Sequence, residues 1–299
     1  MTTFRRASYA ALLGLSILTM GSGCLPWQQE PVDSTTAEAA KLHAGSTLTI
    51  AQNWFGVSTP ADPVYGQRNV TIDNWTAGES AKLTWTLKSR EETAESVAAR
   101  AAAANVPVGQ IAKIPDAVYV DVDTTGSVKT DGLGNAERIL LPAYWPAQDY
   151  DVTGDENSVI WLSKAQYDEL TTTRTSHIAL GLFDSTLEKL QNFSSNVTDA
   201  LAKLEGKVAS NSAASNSDIT KLSADEDWSN YTLNINGTPT VVRTVTANSD
   251  LANYVILANP ENPLILKVAI KPLSLGFTML STLSLVKSLA GYTITSITY

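Results

Sequence analysis

The 299-residue chain has few of the side chains that usually carry metal or nucleophilic chemistry, with one cysteine and two histidines. It lacks a G-x-S-x-G elbow, a P-loop, a dinucleotide fingerprint and an H-E-x-x-H metal motif. Its 21 basic residues are outnumbered by 30 acidic ones, and the formal net charge is −9. Because this balance leaves no general cationic surface for phosphates, we expect no nucleic-acid partner. A hydrophobic content of 43% nevertheless indicates a folded protein.

The first residues have the pattern of an export signal. Arg5 and Arg6 supply a positive start, and an apolar stretch runs from Tyr9 to Met20. This stretch is too short to cross a hydrocarbon core of about 30 Å as a stable helix. We therefore predict a cleaved signal peptide over residues 1–23.

The segment from Leu18 to Cys24, LTMGSGC, resembles the lipobox of bacterial lipoproteins. In that family the cysteine becomes the lipidated first residue of the mature chain, so the resemblance implies acylation of Cys24. Gly21 stands where the family usually has a larger apolar residue, and an ordinary secretory signal cleaved nearby is the alternative. Acylation would also remove a lone thiol, which is a liability in an oxidising compartment.

Residues 24–45 predict a solvated, lipid-anchored tether, because they are rich in polar residues, Pro and Ala without periodicity. Removing Arg5 and Arg6 leaves 19 basic against 30 acidic residues, a net charge of −11. Acyl chains rather than charge would then hold the protein at the membrane. Leu25 offers no aspartate retention signal, which favours the outer membrane. We expect a membrane-anchored lipoprotein of the bacterial cell envelope.

Alternating apolar and polar residues predict strands through most of the remaining chain. We expect a β-dominated α+β fold with antiparallel sheets, sandwich- or barrel-like. Residues 46–110 are predicted as a small β-rich region ending in a helix over 91–105, and residues 111–299 as a β-rich domain. The predicted strands are 47–51, 70–73, 82–87, 117–122, 138–141, 158–163, 177–182, 231–235, 240–246, 254–257, 264–270 and 292–298.

Two local signals sharpen this prediction. Asn236-Gly237 between two predicted strands indicates a hairpin, because both residues tolerate positive φ. A long amphipathic helix is predicted at about 186–209, where a capping box precedes a heptad seam. The seam residues are Leu187, Leu190, Ser194, Val197, Leu201, Leu204 and Val208. Self-association into a homo-oligomer and packing against the helix's own sheet both remain open.

Two segments place oxygen-bearing side chains at alternate positions before a glycine, as the first half of a calcium loop does. The candidate Ca²⁺ ligands are Asp121, Asp123, Thr125, Asp149, Asp151, Thr153, Asp155 and Asn157. Neither segment is an EF-hand, since Gly132 and Ile160 occupy the twelfth positions. We predict a truncated loop of low calcium affinity, with the second copy favoured. The alternative is that Asp, Thr and Gly are simply turn residues here.

These features favour a binding or structural module of the cell envelope with a protein or glycan ligand, and an enzyme is the less favoured class. Trp54, Trp75 and Trp85 suit a glycan or peptide platform, or else the core. An envelope hydrolase using the carboxylates of residues 149–156 and a component that self-assembles through the heptad helix are the alternatives. Residues 259–267, NPENPLILK, are similar to a tail of uncharacterised exported bacterial proteins, which implies no activity.

Overall fold

The computed structural model describes residues 41–54, 57–58, 66–104, 114–152, 157–180, 221–249, 252–271 and 291–299. The predicted signal peptide, Cys24, residues 24–40 of the tether and the predicted helix over 186–209 lie outside these ranges. The described residues are β-dominated and include two α-helices, which agrees with the predicted class. Neither helix in these ranges is long and apolar enough to span a membrane.

Strands supply most of the described elements. They are β1 (Thr47–Trp54), β2 (Val57–Ser58), β3 (Gln67–Thr76), β4 (Ser80–Glu92), β5 (Tyr119–Thr130), β6 (Arg138–Ile139), β7 (Asp149–Asp151), β8 (Asn157–Ser158), β9 (Thr175–His177), β10 (Ala179–Leu180), β11 (Lys221–Ala224), β12 (Ser229–Ile235), β13 (Thr238–Asn248), β14 (Ala252–Leu257), β15 (Ile265–Ile270) and β16 (Gly291–Thr298). The helices are α1 (Ala94–Ala104) and α2 (Lys164–Thr173), with a 3-10 turn at Pro142–Tyr144.

Strands β12 to β16 form a closed five-stranded barrel. Each strand pairs antiparallel with the next, and β12 closes the ring by pairing in parallel with β16. The closing pair is parallel because five alternating strands give the first and the last the same direction. The buried side chains of the barrel include Tyr254, Ile256, Leu266, Tyr292 and Ile294.

Two positions show how the sequence forms the barrel. The turn from β12 to β13 uses Asn236 at φ 50° and Gly237 at φ 81°, as the predicted hairpin requires. At Gly291 a Cβ atom would collide with the carbonyl of Val268 on β15. Asn53 of β1 donates to that same carbonyl at 3.0 Å. Only glycine therefore allows β16 to approach β15 this closely.

The sheet continues from the barrel into the first part of the chain. β1 pairs antiparallel with both β16 and β3, and the order then runs β3, β4, β5 and β7. At the far side of β13 lie β11 and β9. A second, small parallel sheet joins β10, β6 and β8. One buried cluster spans both parts of the sheet, and it includes Leu48, Leu83, Trp161, Val245 and Ile294.

The strands predicted over 47–51, 70–73, 82–87, 231–235, 240–246, 254–257, 264–270 and 292–298 are confirmed. The helix predicted over 91–105 begins later, at Ala94, because β4 continues to Glu92. The strand predicted over 117–122 runs on to Thr130. The predicted strand 177–182 is instead two short strands, β9 and β10, in different sheets.

Candidate functional site

Strands β4 and β5 extend beyond the neighbours that support them. Their register is unbroken from Ala81 opposite Thr130 to Glu92 opposite Tyr119. On one side β3 pairs with β4 as far as Leu87, and the Gly66 amide just before β3 donates to the Lys88 carbonyl; on the other side β7 pairs only with residues 127–129 of β5. In the described part of the chain, residues 88–92 and 119–123 therefore form a two-stranded ribbon, which we call the arm.

Helix α1 is tied to the end of the arm by a small polar network. The Glu92 carboxylate accepts hydrogen bonds from Ser96 Oγ at 2.7 Å and from the Arg100 guanidinium at 3.1 Å. Ser96 Oγ in turn accepts from the Val118 amide at 2.9 Å. The hydrogen bond from Ser96, followed by that from Arg100, holds the pKa of Glu92 below its usual value. An ionised Glu92 thus fixes α1 at the start of β5.

One face of the arm is charged. Alternation along the two strands places Lys88 and Arg90 on the same side as Asp121 and Asp123. Across the ladder, Lys88 lies opposite Asp123 and Arg90 lies opposite Asp121. Lys88 Nζ is 3.6 Å from Asp121 Oδ2, and the Arg90 guanidinium lies 5.4 Å from the ring centre of Tyr119. Positive and negative groups therefore balance each other on this face.

The opposite face of the arm carries Val120 and Val122 of β5 beside Ser89 and Glu91 of β4, and much of it is open to solvent. Val120 and Val122 are on the same side of the sheet as Leu87 and the buried Trp85. Val120 keeps 48% of its surface exposed, and Val118 keeps 57%. The large hydrophobic residues that stay exposed in the described ranges are Val97, Ile114, Val118, Tyr119, Val120 and Val241. Tyr119 and Val120 lie on the arm, on opposite faces, whereas Val118 and Ile114 precede it and Val97 is on α1. A group of exposed hydrophobic residues can mark an interaction surface.

At the base of the arm a cation is buried on this same side of the sheet. Arg68 of β3 is only 6% exposed, and its guanidinium lies 4.5 Å from the ring centre of Trp85. Arg68 Nε and Trp85 Nε1 are both buried without a hydrogen-bond partner in the described structure. Burial lowers the pKa of Arg68 to about 10, and no described carboxylate opposes this fall. Arg68 therefore remains a cation at neutral pH.

The turn predicted at Gly126 is wrong. Asp121, Asp123 and Thr125 lie in the middle of β5, with their side chains on its exposed, charged side. A Cβ atom at Gly126 would lie 2.8 Å from Trp85 Cζ2 and 2.6 Å from the Pro146 carbonyl oxygen. Gly126 is thus required for close packing against the indole ring, a long-range contact that resembles a turn signal in the sequence.

The second predicted calcium segment is only partly within the described ranges. Asp149 and Asp151 lie in β7, and Asp149 Oδ1 accepts a hydrogen bond from Ser127 Oγ at 2.7 Å. Asn157 begins β8, whereas Thr153 and Asp155 lie outside the described residues. Within the residues that can be described, no three His, Cys, Asp or Glu side chains are grouped to hold a metal ion. Calcium binding stays a prediction.

The remaining candidates occupy separate places. Trp85 is a core residue at 1% exposure, Trp75 is half-buried, and the side chain of Trp54 lies outside the description. His177 lines an open cavity of about 520 Å³ together with Glu137, Arg138 and Glu169.

Sequence reasoning missed Arg68 and the apolar face of the arm. A signal for Arg68 was present, because Arg68, Val70 and Ile72 alternate in β3 and all three are buried. An arginine at an inward position of such a strand is a candidate site residue. For Val118 and Val120 no such signal exists, since alternating valines also fit a strand that is covered.

Comparison of the chain with protein-family models, with curated protein sequences and with solved structures gives no match. The fold and site define the chain as a β-rich protein in which a closed barrel is joined through one sheet to a projecting arm.

Proposed function

We propose that the protein is a lipid-anchored binding module of the bacterial cell envelope that presents the apolar face of its arm to a ligand. The observation that carries this proposal is that Val118, Tyr119 and Val120, three of the six large hydrophobic residues exposed in the described ranges, are consecutive at the end of the arm. Elsewhere in the described strands, Val241 is the one other large hydrophobic residue that stays exposed. A hydrophobic side chain that stays in water contributes nothing to the stability of the fold. A ligand that covers these side chains would account for their presence.

The way in which the predicted tether enters the fold supports this proposal. The tether leads into β1, which lies between β3 and β16 inside the sheet. Gly45 and Ser46 bond to Ile72 of β3, so the entry point is fixed to the middle of the sheet. In the described ranges the arm is formed two strands away from this entry point. Anchoring at Cys24 therefore leaves the arm available.

The first test concerns the anchor. Intact-mass analysis of the membrane fraction is expected to give a chain that begins at Cys24 and carries acyl chains. A Cys24→Ala variant should lose the acyl mass and leave the membrane fraction. An unprocessed N-terminus in a soluble cytoplasmic species would contradict the proposal.

The second test concerns the arm. An environment-sensitive hydrophobic dye should bind the wild-type protein and fluoresce, and the Val118→Ser/Val120→Ser double variant should lose most of this signal. Val241→Ser is the matched control, because Val241 is also 54% exposed but lies on β13, away from the arm. If the double variant binds the dye as the wild type does, the arm is not the binding surface.

A further inference from the structure

We propose that Arg68 is the subsite for the anionic head of an amphiphilic ligand whose alkyl chain lies along the apolar face of the arm. This inference rests on the proposed function, because it identifies the chemical class of ligand that the same surface takes. The head is an oxyanion such as a carboxylate, and the tail is a linear hydrocarbon.

The case for an anion begins with Arg68 Nε, which is buried and has no hydrogen-bond partner among the described residues. A buried charge in a protein is normally paired, because leaving water without compensation is costly. The guanidinium has donors only, so the partner that it lacks must be an acceptor. Contact with the face of Trp85 attracts the cation but satisfies none of its N–H groups. A carboxylate offers the planar acceptor geometry that matches a guanidinium.

The case for an alkyl tail comes from what lies next to Arg68. Arg68 is directly opposite Leu87 in the β3–β4 ladder, and Leu87 is opposite Thr124 on β5. From Thr124 the same face continues through Val122 to Val120, which is a distance of about 13 Å at the usual rise of a strand. The valines of β5 therefore form an apolar strip that starts near the buried cation and ends in solvent, with Ser89 and Glu91 of β4 along its other side.

This arrangement favours an amphiphile over a peptide strand. A peptide that extended the sheet would pair with the outer edge of β5, but Arg68 is on β3, two strands away from that edge. A chain that lies on the face of the sheet reaches both the valines and Arg68. The net charge of −9 makes the buried cation a locally distinct feature of an acidic protein.

The test compares three probes by calorimetric titration of the full-length protein, all below the concentration at which they aggregate. Dodecanoate carries head and tail, dodecanol carries the tail alone, and acetate carries the head alone. We expect dodecanoate to bind about tenfold or more tightly than either of the others, as a charge-assisted contact added to apolar burial implies. Arg68→Met should weaken dodecanoate binding about tenfold and leave dodecanol binding unchanged.

Several variants make the result specific. Arg68→Gln is a second neutral replacement, so the outcome does not depend on how one variant folds. Arg90→Met is the matched control, because it removes the cation that stacks on Tyr119 on the charged face. Asp62→Asn removes the lone acidic residue of the sequence between β1 and β3. Neither Arg90→Met nor Asp62→Asn should change the preference for dodecanoate.

Each other outcome overturns the inference in a recognisable way. Equal affinities for dodecanoate and dodecanol, both lost in Val118→Ser/Val120→Ser, would refute the anion subsite and leave the arm as the binding surface. Acetate binding as tight as dodecanoate binding would refute the tail. Tighter dodecanoate binding in Asp62→Asn would show that the chain itself supplies the anion. If the affinity for the probes is the same in every arm variant as in the wild type, the proposed function is refuted as well.

Discussion

The barrel and the arm are built from the same kind of strand, but they differ in what covers them. In β15 every residue is buried except Lys267, which is half-buried. In the arm, Arg90, Glu91, Tyr119, Val120 and Asp121 are all exposed. The contrast shows that strand formation and burial are separate properties of a sequence. The barrel uses its strands to fold, and the arm presents its strands to the surroundings.

The two regions also treat their strand edges differently. The barrel closes on itself, which removes free edges. In the described structure the outer edge of β5 is unpaired from Tyr119 to Gly126. Antiparallel pairing of two such edges around Val122 would bring Asp121 of one chain opposite Asp123 of the other. The repulsion between these carboxylates disfavours edge-to-edge pairing of two chains. The acidic repeat then has a role that involves no calcium.

The largest predicted effect falls on the barrel. Gly291→Ala should lower the free energy of unfolding by about 3 kcal/mol, because its Cβ would push β16 away from Val268. Urea unfolding followed by circular dichroism measures this change. Gly237→Ala is the control, with open space around the Cβ but a φ of 81°, and it should cost about 1 kcal/mol. Equal losses in the two variants would mean that β15 and β16 are not packed this closely.

The next effect is an alkaline loss of stability to which the buried tyrosines of the barrel contribute. Burial raises the pKa of Tyr292 well above 10, and Tyr254 is shifted in the same direction by burial. In the unfolded chain these phenols ionise near pH 10, whereas in the folded protein they stay neutral. Stability is therefore fully present below pH 10 and falls above it, by about 1.4 kcal/mol per pH unit for each tyrosine.

The variant Tyr292→Phe measures how much Tyr292 contributes to this fall of stability with pH. Urea unfolding between pH 9 and pH 11 should show a shallower decline in the variant. Tyr292 also donates to the Ile265 carbonyl at 3.1 Å, so the variant begins from a stability that is lower by about 1 kcal/mol. If the two slopes are the same, Tyr292 already ionises in the folded protein.

At the base of the arm the sign of the effect is reversed. Arg68→Met should raise the free energy of unfolding by about 1 kcal/mol in the absence of ligand, because a buried charge with no partner among the described residues is replaced by an apolar chain of similar length. Chemical denaturation at neutral pH measures the change. A loss of stability in the variant would show that Arg68 is paired after all.

The smallest effect concerns the end of the arm. Glu92→Gln should leave the unfolding midpoint unchanged but speed hydrogen exchange at the Val118 amide, since Ser96 is held in place by the carboxylate. In the wild type, acid should lower the protection factor of the same amide, which compares its exchange rate with that of an unfolded chain at the same pH. The pKa of Glu92 is lowered, so the contribution is present above about pH 4.5 and is lost as the pH falls through the lowered pKa. If the protection of the Val118 amide is unchanged in both experiments, Glu92 does not hold α1 at the start of β5.

How much the sequence predicts depends on how local each feature is. The hairpin at Asn236-Gly237 is confirmed because its turn is determined by two residues. The closing pair of β12 and β16 joins positions about 60 residues apart, and alternation alone names no partner.

The candidate site was harder to predict for the same reason. Gly126 sits between acidic residues and a serine, so the local pattern favoured a turn, whereas its actual requirement comes from Trp85 on the next strand. The openness of Val120 depends on where β3 and β7 stop, which the residues of β5 do not encode. The strands of this region were therefore predictable from the sequence, but the exposure of their side chains to solvent was not.

The central claim is that the apolar face of the arm, together with Arg68, receives the ligand while the barrel serves as its support. Hydrogen exchange measured by mass spectrometry with and without dodecanoate tests this claim most directly. We predict added protection in peptides covering residues 87–92 and 118–124, with no change in β12 to β15. Protection confined to residues 135–138 and 163–179, around the open cavity, would contradict it.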